Sequence, residues 1–126
     1  MTVEEKIQAV LLADSGVSAL VGTSIKVGFV GQSLAVPYIS HQTYSNREVR
    51  THEGRAKIQF WDQYRIKGFA ETYSGARALN LAIMAAVKDL RATGIQVTKA
   101  EFATEVYEDP EGIHQQVVEL SIADTL

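Results

Sequence analysis

The sequence predicts an α+β layer fold: two main helices packed on a largely antiparallel or mixed sheet, in the order α-β-β-β-α-β-β. Three observations carry this. Val3, Ile7, Val10 and Leu11 recur at helical spacing near the start, and a longer helical segment follows Thr72. Stretches that alternate with period two lie between and after these helices. Helices and hairpins are therefore segregated rather than interleaved, which favours a sheet with helices on one face. With 126 residues, 46% of them hydrophobic and 21% charged, the chain reads as one globular domain over residues 1–126, not as a disordered one.

The elements follow in order. Thr2-Val3-Glu4-Glu5 reads as a capping box, with Glu4, Glu5 and Gln8 off the apolar stripe. Asp14-Ser15-Gly16 ends this helix, and Val17 to Val21 adds a turn that Gly22 stops. Ile25 to Val30 is a short strand between glycines. Pro37 opens the next strand, in a segment rich in β-formers from Val36 to Tyr44; proline suits a first strand residue or an edge. From Ala56 to Ala70 apolar residues hold the even positions and polar residues the odd ones, broken only by Asp62, Trp61 and Phe69. At about 3.3 Å per residue a strand that long spans about 50 Å. Either Asp62-Gln63 bends it or it overhangs the domain. The long strand is favoured, because a tight turn there lacks its glycine.

After Thr72 comes the second helix, closed at Thr93-Gly94. Two strands follow, near Ile95–Tyr107 and Ile113–Ile122. The first changes phase between Val97 and Ala100, as one bulge near Thr98-Lys99 would cause. The stretch Glu108-Asp109-Pro110-Glu111-Gly112 between them is a strong turn signal.

Composition excludes several chemistries. There is no cysteine, hence no disulfide, thiolate metal site or cysteine nucleophile, and synthesis in a cytoplasm fits. The amphipathic, acidic start is unlike a secretory or transit signal, and no apolar run approaches the ~18–20 residues of a membrane span. A net charge of −3 gives no global footprint for nucleic acid. His41, His52 and His114 sit in no ligand spacing, so solvated or singly hydrogen-bonded histidines are expected, with no metal and no cofactor. There is no GxSxG elbow, Walker loop or GxGxxG, and an enzyme is not expected.

Two charged segments remain. Residues 47–57 carry Arg47, Arg50, Arg55 and Lys57 against Glu48 and Glu53. Residues 101–111 carry Glu101, Glu105, Glu108, Asp109 and Glu111 with no base. Each lies at or near a connection between strands. They are either solvated loops or docking surfaces of opposite sign for other chains.

The second helix poses a question of its own. Ala76, Leu79, Ile83, Val87 and Leu90 form one stripe, yet Ala78, Leu81, Ala82 and Ala85 cover much of the rest. Thr72 is its expected N-cap, with Gly75 where a capping box would place Glu. The stripe can pack on the sheet, and the alanine-rich side can take the first helix or a neighbouring subunit.

Taken together, "VEEKIQAVLLADSGVSALVG" from Val3, "VPYISHQTYS" from Val36, and the strand–helix joint built on Phe69, Ala70, Thr72, Tyr73 and Ala76 resemble the tail-completion, or tail-to-head joining, family of long-tailed bacteriophages and prophages. The resemblance covers nearly the whole chain; Gly75 departs from the acidic residue common at that position. It implies a non-enzymatic virion protein, assembled in the bacterial cytoplasm. Such a protein would form a ring, typically hexameric, on the end of the tail tube. Its partners would be itself, the tail tube protein and the head completion or connector protein. DNA would pass through the ring without sequence-specific binding, and no membrane is involved. Three alternatives stay open: a head–tail connector; a stand-alone α+β module with a concave ligand pocket; and a small hydrolase, which needs clustered titratable groups.

Overall fold

A computed structural model describes residues 3–28, 37–50, 57–93, 95–102, 107–108 and 114–125, and within these the side chains at 44–50, 57–62, 91–93, 98–99, 107–108 and 124–125 lie outside the description. The elements are α1 (Val3–Ala13), α2 (Ser15–Val21), β1 (Ile25–Val27), β2 (Tyr38–Arg50), β3 (Lys57–Ala70), α3 (Tyr73–Ala86), a 3-10 helix (Val87–Thr93), β4 (Gln96–Phe102), β5 (Tyr107–Glu108) and β6 (His114–Thr125). The α+β order expected from the sequence holds, and the sheet is mixed. It runs β1-β2-β3-β6-β4, with β5 also pairing to β6. Only β1–β2 is parallel; the other ladders are antiparallel.

Local chemistry sets the helix boundaries. The segment after Asp14 is a helix in its own right. The Asp14 carboxylate accepts from the Val17 amide at 3.0 Å, and Gly22 closes the helix at φ 61. At α3 the Thr72 hydroxyl accepts from the Gly75 amide at 3.0 Å, as the sequence predicts. The partner of the expected capping box at α1, Thr2, lies outside the described residues.

The helices cover one face of the sheet. Ile7, Leu11, Leu79, Ile83 and Leu90 meet Ile39, Tyr64, Ile66, Val118, Leu120 and Ile122 in one core. Close approach requires Gly68: a Cβ there would lie 3.1 Å from the Cβ of Leu79. The predicted stripe of α3 is buried throughout, but its alanine-rich side is not. Ala78, Leu81 and Ala85 are exposed, Leu81 by 52%. So α3 does have a wet side, and that side happens to be apolar.

Residues 57–70 do form one long strand. The even-numbered row, however, does not keep one face. Between Tyr64 and Phe60 the strand takes four residue steps while β6 takes three, from Leu120 to Ala123. This bulge at Asp62-Gln63 brings Trp61 opposite Ile122 and moves Phe60 into register with Ala123, a different row of β6 from Leu120. The irregularity crosses the sheet. β2 takes four steps from Thr43 to Arg47, and β4 takes four from Ala100 to Gln96, over the same three of β6. The bulge predicted near Thr98-Lys99 is part of that line; it keeps Ala100 and Phe102 in the row of Leu120 and Val118. Nor does β3 overhang alone, since β2 and β6 accompany it to Val49 and Thr125.

Candidate assembly interface

The sheet places the two charged segments at opposite ends. Arg50 pairs with Lys57, and the next residue of β3, Ile58, pairs with Thr125, the last residue of β6. Arg47, opposite Phe60, belongs to the same end. Glu108 pairs with His114, the first residue of β6. The length of β6 therefore separates the two ends, about 36 Å at ~3.3 Å per residue. Glu101 is exposed on β4, in register with Glu119. Arg55, Glu105, Asp109 and Glu111 lie outside the described residues. Strand pairing thus sets Arg47, Arg50 and Lys57 about a strand's length from Glu108 within one copy, while Glu101 lies mid-sheet.

The face away from the helices is more polar, though Val117 and the Tyr38 ring are buried on it. One row runs Gln42, Arg65, Glu119 and Glu101 across β2, β3, β6 and β4. Within it Arg65 Nε donates to Glu119 Oε2 at 3.3 Å, both side chains about a quarter exposed (26% and 24%). Tyr38 and Phe69 stack on the same face, two rows along, ring centroids 4.5 Å apart. On the helix-covered face a Phe102 ring at the margin lies 5.1 Å from the Arg77 guanidinium.

One of the three histidines departs from expectation. His41 is neither solvated nor singly bonded; it is 1% exposed and both ring nitrogens are engaged. Nε2 lies 2.7 Å from Gln8 Oε1, and Nδ1 lies 2.6 Å from the Tyr64 hydroxyl. An amide oxygen only accepts, so Nε2 carries the proton and Tyr64 donates to Nδ1. Gln8 Nε2 in turn donates to the Ile25 carbonyl at 2.7 Å. One directed chain thus ties α1, β1, β2 and β3 together. Burial lowers the His41 pKa to about 4. It also pushes the Tyr64 hydroxyl well up, with the Glu4 charge adding to the effect. Gln8, placed off the stripe from sequence, is half-buried and reaches into this chain, and Asn80 is buried, its Nδ2 donating to Gln116 Oε1 at 3.0 Å. The mid-strand position of His41 among β-formers was the available signal. His114 packs edge-on against Tyr73, and His52 lies outside the described residues.

Among the described residues no three His, Asp or Glu side chains group closely enough to hold a metal. No described helix is long and apolar enough to cross a membrane. Two surface depressions, of about 280 and 180 Å³, are shallow; the larger lies between Leu20, Pro37, Ala70, Thr72 and Leu79 and is mostly apolar. Glu71 is the one titratable side chain lining the larger, and Lys67 and Tyr38 line the smaller.

Comparison with known proteins gives the same picture. No curated protein matches the chain in sequence. A chain in the solved virion of a native gene transfer agent particle shares its fold, with a TM-score of 0.59 over 98% of this chain and 93% of that one, at 14% identity. The family model for tail completion protein gp17 matches residues 5–123. The chain belongs to that family, the tail completion proteins, and is a structural protein of the phage tail, at home in the virion.

Proposed function

We propose that the protein is a tail terminator: a ring of copies, hexameric as the sequence resemblance implies, that caps the tail tube and docks to the head connector, with DNA passing through its centre. The observation that carries this is the separation of charge. Family membership supplies the tail, and a domain whose basic and acidic ends lie a full strand length apart suits a subunit that meets different partners at its two ends. A ring also needs heterologous contacts, one patch against a different patch on the next copy. The work is mechanical rather than catalytic.

Electron microscopy of particles made without this protein tests the role. Tails of abnormal length are expected. Tails of normal length that fail to join filled heads would assign a connector instead, and normal joined particles would overturn both roles. The ends are tested by charge reversal. Arg47→Glu with Arg50→Glu, and separately Glu108→Lys with Glu111→Lys, should each fold by circular dichroism and assemble poorly. Because the ends face different partners, combining the four should not restore assembly. Normal assembly by both reversed variants would leave the ends merely solvated.

A further inference from the structure

The helical layer has two flanks, one over each margin of the sheet. Gln8 of α1 reaches the Ile25 carbonyl of β1, at one end of the strand order, and Arg77 of α3 lies over the Phe102 ring of β4, at the other. Glu5 and Leu12 stand three and four residues from Gln8 and share its flank; Leu81 and Lys88 stand four and eleven from Arg77 and share that one. All four are exposed, Leu12 by 38% and Leu81 by 52%. We infer that these flanks meet between neighbouring copies of this chain: α1 of one copy lies antiparallel beside α3 of the next, with Leu12 on Leu81 and Glu5 beside Lys88. This rests on the ring reading above and names a helix contact that closes that ring.

Three features carry the inference. The first is that the two flanks differ and look opposite ways. One lies over β1 and the other over β4, so a contact between them sets one patch against a different patch. Such a contact repeats from copy to copy until a ring closes, whereas either flank meeting itself would stop at a dimer.

The second is direction. α1 leads through Asp14 into α2, whose Leu20 lies beside Thr72, the N-cap of α3. α1 also packs against the 3-10 helix that continues α3. The end of α1 therefore lies near the start of α3, and the two helices run in opposite senses. Copies set side by side keep those senses. The neighbour's α1 then meets α3 antiparallel as well, with the two helix dipoles opposed.

The third is spacing and charge. Glu5 to Leu12 is seven residues, and so is Leu81 to Lys88, about 10 Å along either helix. Laid antiparallel, leucine faces leucine while the acid in the first turn of α1 faces the base just past the end of α3. A parallel alignment would set Glu5 on Leu81 and Leu12 on Lys88. Between the matched pairs, Ala9 and Ala85 are exposed and small, which lets helix axes approach to about 8–10 Å. The contact takes two exposed leucines out of water, and it gives the apolar outer side of α3 a partner.

The absence of native cysteine makes the test clean. Leu12→Cys with Leu81→Cys, and Glu5→Cys with Lys88→Cys, probe the expected register. Glu5→Cys with Leu81→Cys, about 10 Å out of it, probes the parallel alignment. Within one copy the two flanks look away from each other across the helical layer, so a disulfide joins two copies. Oxidation of assembled protein, in solution or in particles, should give for the first two pairs a ladder of multimers that reductant collapses, and none for the third. A ladder from the third pair alone would overturn the antiparallel contact. Leu81→Asp, at a position exposed in the single copy, should keep the circular dichroism of the parent chain and assemble poorly; normal assembly would overturn the contact too. Rings of normal mass with neither expected pair cross-linked would overturn the helix contact and leave the ring standing. Absence of any multimer of the parent chain, both in solution and in particles, would overturn the ring and the contact with it.

Discussion

The two faces of this sheet are made by the same strands and share almost no chemistry. Along β3, Tyr64 and Ile66 turn to the helices, while Arg65 and Lys67 turn away. Their β6 partners divide less cleanly: Leu120 and Val118 are fully buried and Glu119 is half-buried in an ion pair, but Val117, opposite Lys67, is buried as well. The covered face uses apolar contact and a neutral, directed hydrogen-bond chain. The other uses charge in contact with water. The first is worth several kcal/mol per side chain, the second a fraction of one. Stability is therefore concentrated on the helix side.

The largest expected effect lies on the covered face. Leu79 is 1% exposed and lies against Gly68. Leu79→Ala should cost about 2–5 kcal/mol, read as a lowered midpoint in urea. Gly68→Ala probes the same contact from the strand side. With 3.1 Å to the Leu79 Cβ it should cost about 1–3 kcal/mol by overpacking. If either variant melts like the parent chain, α3 does not sit on β3 as described.

A pH series separates the faces further. The folded His41 pKa, about 4, lies below the ordinary 6.5. Between these values the unfolded chain holds more protons than the folded one. Lowering the pH from 6.5 towards 4 must therefore destabilise the fold, by on the order of 3 kcal/mol, and below about pH 4 this group adds nothing more. Carboxylates titrate in part of the same range, so the measurement is a difference. His41→Gln, less stable at neutral pH, should show a shallower loss between pH 6.5 and 4.5 than the parent. Equal slopes would mean that burial does not lower the His41 pKa in the folded protein.

Much of the fold was legible in the sequence because period and caps are local signals. Thr72, the β4 bulge and the buried stripe from Ala76 to Leu90 all fall where spacing places them. The parity of Ile58 and Phe60 was not legible. A bulge at Asp62-Gln63 depends on which strand pairs beside it, and that is a non-local choice. The same holds for His41, Gln8 and Asn80. A polar residue is worth burying only when its partner arrives from elsewhere in the chain, and Gln8 and His41 are 33 residues apart. The opposition of the charged segments belongs here too. Their signs are written in the sequence, but their separation is a property of the β6 ladders.

The smallest effect tests the polar face itself. Arg65 donates to Glu119 at 3.3 Å, and Glu119 stands in register with a second carboxylate, Glu101. Arg65 therefore does two things: it pairs with Glu119, and it offsets the like charge across the β4–β6 ladder. Arg65→Gln loses the pair and leaves two carboxylates opposed, so it should cost up to ~1 kcal/mol. Glu119→Gln also loses the pair but removes the opposition, so its cost should be smaller and close to zero. Added salt should narrow the difference, because both terms are half-exposed Coulomb interactions. Urea melts of the two single variants and the double variant, at low and high salt, measure this. Equal costs for Arg65→Gln and Glu119→Gln would mean that Glu101 does not act on Glu119. The acidic row would then be a set of independent solvated charges, and the contrast between the faces would rest on burial alone.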